Sequence, residues 1–436
     1  MLNLLRKILS DTHPLRLFYH KLKAVAAAMI YRFPSRKLIV VGVTGTNGKT
    51  TTVNLVTKIL ETSGALCGMA STINFQVGDK KWVNQTKKTT QSPFMVQRLL
   101  REMVTSGCKY AVIEVSSHAM TQSRVWGVNI DCVAYTNVTE DHIEYHGGFA
   151  SYLHAKGSLF RKVSKSGRKP GVPKVMILNK EDAHYSYFDQ FIADRKMTYG
   201  VKEGTVSADA VDLRPAKSEF TLQVPNSAVP VTLNLPGDFN IQNALCASAV
   251  CLSMGVSVDD IKRGLDQAQT IPGRYDTVDV GQDFAVVVDY AHAPDSLQKL
   301  LEMYRELTPD GNLFAVFGAT GGGRDIGKRV KMGEAAAKLA DYLFITDDDP
   351  YSDDELKIIE DVCKGIDRKE GDRFWKIPDR YEAIRMALSL AKKGDSVVIA
   401  GKGAEEVMKV RGKTIPWNDK KIAEEIIQRP LNLEIE

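Results

Sequence analysis

The chain has 436 residues, a formal net charge of +5, and 44% hydrophobic and 25% charged residues. That length is too great for one ordinary core, so two or three domains are expected. The balance excludes a disordered chain and is too mildly basic to argue for a nucleic-acid partner. No apolar run reaches the ~18 residues that a membrane span needs, and no signal-peptide pattern is evident. The six cysteines, Cys67, Cys108, Cys132, Cys246, Cys251 and Cys363, form no CxxC pair. They read as structural thiols in a reducing, cytoplasmic setting.

Residues 1–33 carry Arg6, Lys7, Arg16, Lys21, Lys23 and Arg32 against a single acid, Asp11. Apolar residues recur at helical spacing in MLNLLRKIL and KLKAVAAAMIYRF. Two readings fit. The plainer is a helix packed on the following domain; the sharper is a basic helix lying on a membrane surface. His13 and His20 read as surface residues.

From Lys37 onward, strand candidates alternate with helical stretches. The strands are expected at 38–43, 110–115, 132–136, 174–178, 285–290, 313–317, 342–346 and 396–400. The helices are expected at 94–105, 240–254, 296–306, 328–340 and 380–392. Several strands are β-branched runs, as in parallel sheets buried on both faces. This order predicts an α/β fold with mostly parallel sheets: a P-loop central domain and a Rossmann-like C-terminal domain. Between 201 and 235 the pattern changes to FTLQV and VPVTLNL, which reads as antiparallel strands at a sheet edge. Ile271-Pro272-Gly273 is a plausible linker. The expected organisation is a basic helical segment at 1–36, a central domain at 37–272 and a further domain at 273–436.

The first chemical motif is KLIVVGVTGTNGKTTTV, Lys37–Val53. An apolar strand stops at Gly45, Thr46, Asn47 and Gly48, and Lys49, Thr50 and Thr51 open a helix. Turn amides and the positive end of a helix dipole then face the same anion. Lys49 suits the β/γ-phosphates of ATP and the Thr50 hydroxyl suits Mg²⁺. The strict P-loop pattern wants Gly five residues before Gly48, where this chain has Val43 and supplies Gly45 instead. The plain alternative is a Gly-rich turn joining a strand to a helix.

Further candidates sit at strand ends, where ligands collect in α/β sheets. Glu114 ends the strand in KYAVIEVSSHAMTQSR; it reads as a metal ligand, or as the partner of a nearby Lys. Asn137 and Asp141-His142 follow the next strand. His146 and His154 with His142 do not make a zinc site, because no Cys or second spaced pair completes one. Lys156 reads by default as one cation on a solvated helix face. Thr89, Thr90, Gln91 and Ser92 precede a helix whose N-terminus they suit as caps. Asn240, after Pro236-Gly237, reads as an Asn cap. Arg324 follows a strand in FGATGGGRDIGKR, and Gly401 and Glu405 follow another in GKGAEE.

Taken together, TGTNGKTTT, EVSSHAMTQSR, DHIEYHG with its later Ala155-Lys156, LPGDFNIQN, DYAHAPD and GKGAEE resemble the Mur ligase family, in its tripeptide-synthetase branch. The resemblance implies an ATP-dependent, ADP-forming amide ligase that adds an amino acid to a UDP-muramyl-peptide, a peptidoglycan precursor, through an acyl-phosphate. It implies that Thr50, Glu114, His142 and a carbamylated Lys156 serve Mg²⁺. Asn240, Arg274 and Asp289 would hold the nucleotide. Thr89, Thr90, Ser116, Gln122 and Arg124 would hold the muramyl substrate. Arg324 would grip the incoming amino acid's carboxylate, with Asp348, Asp349, Gly401 and Glu405 around it.

Three departures stand out. Gln91 breaks the usual TT-P/G-S motif, and Ala404 replaces the usual His of GKGxE. Asp348-Asp349-Pro350-Tyr351 stands where diaminopimelate-adding members carry DNPR. With no Arg there and many acids around it, lysine or another diamino acid without a second carboxylate is expected over meso-diaminopimelate. Only 36 residues precede Lys37, so the resemblance covers about 37–425 and the family's UDP-binding domain is expected to be missing. Two rivals remain: a folylpolyglutamate-synthetase-like ligase, and a non-ligating nucleotide-binding partner subunit. The expected partners are small-molecule substrates, with no nucleic acid, and a membrane surface if residues 1–33 take the sharper reading.

Overall fold

The computed structural model describes residues 12–84, 86, 88–139, 143–270, 272–322 and 326–429. It falls into two compact units, residues 1–212 with 218–234 and 238–268, and residues 269–436 with 213–217 and 235–237.

The first unit is built on eight strands: β1 (Ile39–Thr44), β2 (Cys67–Ala70), β3 (Asn74–Val77), β4 (Lys80–Val83), β5 (Tyr110–Glu114), β6 (Cys132–Tyr135), β7 (Val175–Asn179) and β8 (Arg195–Tyr199). Their order is β4-β3-β2-β5-β1-β6-β7-β8. The pairs from β2 through β8 are parallel. The β2–β3 and β3–β4 pairs are antiparallel. The chain leaves β1 toward β2, returns to insert β5 beside β1, and then crosses to β6 on the other side. That reversal makes the C-terminal end of β1 the switch point where an α/β sheet offers a crevice. The run IVVGVT is buried along nearly its whole length, as a central parallel strand requires.

One sheet face carries the core of Leu38, Val40, Ile113, Val133, Leu159 and Phe160 under the helices Pro93–Thr105 and Phe149–Lys165. On the other face the helix Lys49–Thr62 packs against the helices Asp238–Ser253 and Val258–Asp266. The Asp238–Ser253 helix is buried almost all round, and its Ala244, Ala247 and Ala249 let neighbours approach closely. At the opposite end of the sheet from the β1 turn, Asp131 accepts from Val40 N (2.9 Å) and from the buried Lys174 ammonium (3.0 Å). Lys169 also pairs with it.

The segment expected at a sheet edge forms instead a sheet of its own. The strands β9 (Ser207–Leu213), β10 (Ser218–Val224) and β11 (Ser227–Leu233) take the order β11-β10-β9. A single bridge, Tyr199 to Val206, links this region to β8. The alternating burial of β10 explains the difference. Its apolar face packs on helices, so it does not need the larger sheet.

The second unit holds β12 (Asp276–Val278), β13 (Ala285–Asp289), β14 (Leu313–Phe317), β15 (Tyr342–Ile345), β16 (Phe374–Lys376) and β17 (Ser396–Ala400). They are ordered β12-β13-β17-β14-β15-β16, parallel except for β12–β13. A hairpin, β18 (Val407–Val410) and β19 (Lys413–Pro416), follows β17. No helix among the described residues is long and apolar enough to cross a membrane.

Candidate active site

The β1 turn closes over the start of the Lys49–Thr62 helix. Gly45 lies at φ +147°, and a Cβ there would meet Thr136 Oγ1 at 1.9 Å. Gly48 lies at φ +80°, where a Cβ would meet Asn243 Oδ1 at 2.1 Å. Both positions therefore exclude a side chain by backbone region and by space. The turn is held from β6: Thr46 N donates to Asn137 O (2.8 Å) and Asn47 N to Asn137 Oδ1 (3.0 Å). Thr46 Oγ1 shares a hydrogen bond with Tyr152 OH (2.9 Å). Lys49 Nζ folds back onto Thr46 O (2.8 Å), and Thr50 and Thr51 begin the helix behind it. First-turn amides have no acceptor within their own helix, so this end presents donors to an anion.

Glu114 ends β5, beside β1. Its Oε2 accepts from Thr50 Oγ1 (3.0 Å), Thr72 N (2.8 Å) and Thr72 Oγ1 (2.9 Å). The paired-Lys reading of Glu114 is thus not what is found. A carboxylate and a hydroxyl in contact at a helix N-terminus form a hard-oxygen donor set that suits Mg²⁺. The residues present fit the expected cation.

Lys156 is buried, 2% exposed, which overturns the default reading of a solvated lysine. The Phe149–Lys165 helix turns Lys156 inward rather than to solvent, so that Nζ donates to Gly45 O (2.5 Å) above the Tyr152 ring. His142 lies outside the described residues. His146 Nε2 meets Ser117 Oγ (3.0 Å), and His154 lies beside Arg161 (3.2 Å).

The residues expected to hold the acceptor are joined in one network. Thr90 Oγ1 donates to Glu114 O (2.9 Å) and accepts from Ser116 N (2.9 Å). Arg124 Nη1 donates to Thr90 O (2.6 Å), and its Nη2 to Gln122 Oε1 (2.8 Å). Gln122 Nε2 reaches Tyr145 OH (2.9 Å). Burial pulls the Arg124 guanidinium below its usual range. Thr89 is half-buried in the same loop. Gln91, the departure from the motif, accepts from Thr86 and donates to Lys88 O (both 2.7 Å), so it braces that loop. Ser92, not Thr90, caps the following helix.

Asn240 is not the helix cap that its position suggested. The helix begins at Asp238, and Asn240 is fully buried, accepting from Asn243 Nδ2 (3.2 Å). Thr72, Tyr152 and Thr136 were not singled out from sequence. Only their position just beyond a strand, or on an inward helix face, would have signalled them.

In the second unit, Asp289 accepts from Tyr275 N (2.9 Å) and Ala291 N (2.8 Å). Burial raises its pKa, against the lowering effect of Arg274. The Arg274 guanidinium lies 5.6 Å from the centre of the Tyr290 ring. His292 Nδ1 is 2.8 Å from Tyr290 O. Arg324 lies outside the described residues.

Several of the acids beyond β15 are engaged by this chain's own groups. Lys402 Nζ bridges Asp349 Oδ1 (2.8 Å) and Glu405 Oε2 (2.6 Å). Asp354 caps the helix Glu355–Cys363, Asp353 accepts from Gly322 N (2.8 Å), and Glu355 pairs with Arg411. Asp348 is buried beside Gly401, whose Cβ would meet it at 2.6 Å. Burial pushes the Asp347 carboxyl up to about 7. Asp349, Asp353, Asp354 and Glu355 are thus engaged within the chain, which leaves Asp347 and Asp348 of the acids counted toward a substrate ammonium. Tyr351 is bracketed by the β18–β19 hairpin: its N donates to Lys409 O (3.1 Å), its O accepts from Gly412 N (2.9 Å), and Lys409 Nζ lies 5.1 Å from its ring centre.

The Mur ligase middle-domain family model matches residues 43–251, and that of the Mur ligase glutamate ligase domain matches residues 273–403. The chain belongs to the Mur ligases. A UDP-N-acetylmuramoyl-L-alanyl-D-glutamate–2,6-diaminopimelate ligase of Geobacillus kaustophilus is 38% identical over 401 residues, 92% of this Mur ligase and 81% of that protein. A solved ligase of the same name is 30% identical with a TM-score of 0.68, covering 90% of this chain and 78% of that one. A folylpolyglutamate synthase of Mycobacterium tuberculosis shares the fold at 17% identity and a TM-score of 0.64, covering 87% and 92%.

Proposed function

We propose that this Mur ligase joins a diamino acid to a UDP-N-acetylmuramoyl-dipeptide with hydrolysis of ATP to ADP and phosphate. One observation carries the reading. The side chain of Glu114 faces Thr50 of the phosphate turn, while its main-chain oxygen accepts from Thr90 of the Ser116–Gln122–Arg124 network. A nucleotide's phosphates and an acceptor's carboxylate are thereby brought to one strand end.

The acceptor carboxylate attacks the γ-phosphorus, the bond to the β,γ-bridging oxygen breaks, and ADP leaves. The amine of the amino acid then adds to the acyl carbon, the C–O bond to phosphate breaks, and the amine gives up a proton. Such transfer depends mostly on positioning and charge neutralisation. Lys49 and the helix N-terminus receive phosphate charge. Gln122 and Arg124 orient the acceptor. Thr50 and Glu114, with His142, would hold Mg²⁺, which when bound supplies neutralising charge on the phosphates. Asn240, Arg274 and Asp289 are assigned to the nucleotide, and Arg324, Gly401 and Glu405 to the amino acid's α-carboxylate and α-ammonium.

Lys156 is assigned a carbamate. The ammonium first gives up a proton; the neutral amine then adds to CO₂, an N–C bond forming as one C=O π bond opens onto oxygen and the nitrogen gives up a second proton, so a buried cation becomes an oxygen anion beside the turn. Its burial against Gly45 O supports this, since an ammonium there repels a metal cation. For the amino acid, Lys409 beside Tyr351 supplies a cation where the usual Arg is lacking, and Lys402 engages Asp349 and Glu405. This favours a second carboxylate, as the name of the Geobacillus relative suggests, and reverses the expectation of lysine. A cytoplasmic location fits these substrates.

Phosphate release, with product mass, tests the reading. Turnover is expected with UDP-muramyl-dipeptide and a diamino acid. Turnover with folate and glutamate instead would establish the rival ligase, and no amino-acid-dependent turnover with any acceptor would leave only a nucleotide-binding subunit.

A further inference from the structure

The helix Pro14–Ile30 packs by one narrow side and leaves a wide one open. Its buried residues are Ala24, Ala27 and Ala28, and their size lets it lie close against the helix Pro93–Thr105. A Cβ on Gly127 would stand 2.7 Å from that of Ala28. Arg101 Nε donates to Tyr31 O (3.1 Å) just past the helix end. The attachment is thus specific, and it uses only small side chains.

The opposite side is the reverse of a soluble helix's usual pattern. Leu15, Phe18, Tyr19, Leu22, Met29 and Ile30 are exposed, with Leu15, Phe18, Met29 and Ile30 each 60% or more. At 100° per residue these six fall within about a 120° sector. Lys23 and Arg16 flank it on one side and Lys21 on the other. The helix contains no Asp or Glu. Scattered apolar residues on a surface need no explanation, but a continuous apolar stripe does. A stripe about 25 Å long on a 17-residue helix, edged with cations, matches the interface of an anionic bilayer. The apolar residues suit the acyl boundary and the Lys and Arg suit the headgroups. A second copy of the chain would set like charges against one another along both edges of the stripe.

We propose that the Pro14–Ile30 helix lies in the plane of an anionic lipid surface and holds this ligase against it. The inference does not rest on the assignment of substrates. The test is co-sedimentation of the full chain with vesicles of phosphatidylcholine and phosphatidylglycerol at three to one, roughly a quarter anionic as in an acidic membrane face. Binding is expected at low salt, at least about 10-fold weaker on phosphatidylcholine alone and weakened by added salt. Phe18→Ser with Leu22→Ser should lower the partition coefficient at least about 30-fold, and Lys21→Glu with Lys23→Glu should remove the preference for anionic lipid. Leu66→Ser, an exposed apolar change elsewhere, should do neither. These side chains are solvent-facing, so unchanged circular dichroism and phosphate release are expected in the variants. No binding at low salt, or binding that survives the Phe18 and Leu22 changes, overturns the proposal. So does a dimer in sedimentation velocity that those changes dissolve while vesicles are ignored.

Discussion

Gly48→Ala tests the phosphate turn through the helix that underlies it. The new Cβ is placed at φ +80° and 2.1 Å from Asn243 Oδ1. Left-handed strain costs about 1–2 kcal/mol for a residue with a Cβ. Relief of the collision requires Asn243 to move, and it then loses its bonds to Asn240 Oδ1 and from Thr52 Oγ1. Each is worth about 1 kcal/mol, so the total is about 3–4 kcal/mol. With a urea slope of about 3 kcal/mol/M for a chain of this size, the midpoint should fall by about 1 M. The structure also fixes the coupling. Asn243→Ala alone should cost about 2 kcal/mol, yet adding it to Gly48→Ala should cost almost nothing, because the same bonds are already lost. Urea unfolding of the four chains measures this, with ATP affinity read in parallel. A Gly48→Ala cost below about 1 kcal/mol, or an additive double variant, would refute the reasoning.

Glu114→Gln and Lys49→Ala should each lower phosphate release at least about 100-fold while leaving the fold intact, since the first removes a ligand of the proposed Mg²⁺ and the second a cation facing the phosphates; near-normal turnover in either would sink the nucleotide assignment. Lys156→Ala should be inactive at any bicarbonate concentration, wild type should slow when CO₂ is stripped, and ¹³CO₂ should give a carbamate carbon signal that the variant lacks. Lys409→Ala should lower kcat/KM for meso-diaminopimelate more than for lysine in direct competition, and equal losses would remove Lys409 from the pocket. Asp131→Ala leaves Lys169 and the buried Lys174 without their carboxylate and should cost about 3–5 kcal/mol without changing KM for ATP. Asp347, pushed up to about 7 mainly by burial and next by Glu355, binds its proton more tightly folded than unfolded. Its stabilising contribution is therefore present below about pH 4 and lost as pH rises through 7. Asp347→Asn should gain on wild type between pH 4 and 8 in thermal unfolding, and a pH-independent difference would contradict the burial.

The central strands were legible because a strand buried on both faces is an unbroken apolar run, as in Val40–Val43 and Phe314–Phe317. β4 and β8 were not. KKWV and RKMTY are edge or near-edge segments with exposed cations, and pairing alone makes them strands. In the site, Glu114, Thr90, Ser116, Gln122 and Arg124 could be found from their motif, and they are joined by hydrogen bonds. Thr72 escaped notice because its role is set by the adjacency of β2 and β5, 42 residues apart at the bond itself. The acids beyond β15 were misjudged for a related reason. Lys402, which neutralises two of the groups there, comes from a turn 53 residues later, and no local window contains both.

The order of strands has a consequence for how this protein is made. The phosphate turn at 45–48 is held by Thr136 and Asn137, by Lys156 and Tyr152, and from beneath by Asn243. During synthesis the turn therefore emerges long before any of the groups that shape it. β5 must also slot between β1 and a β2 already made. A nascent chain stalled short of the Asp238–Ser253 helix has every residue of the turn and its partners from 136 to 156, but lacks Asn243 beneath Gly48. Nucleotide binding at the turn is thus expected only after the Asp238–Ser253 helix has packed beneath it, a dependence that ATP binding by stalled or truncated chains would measure.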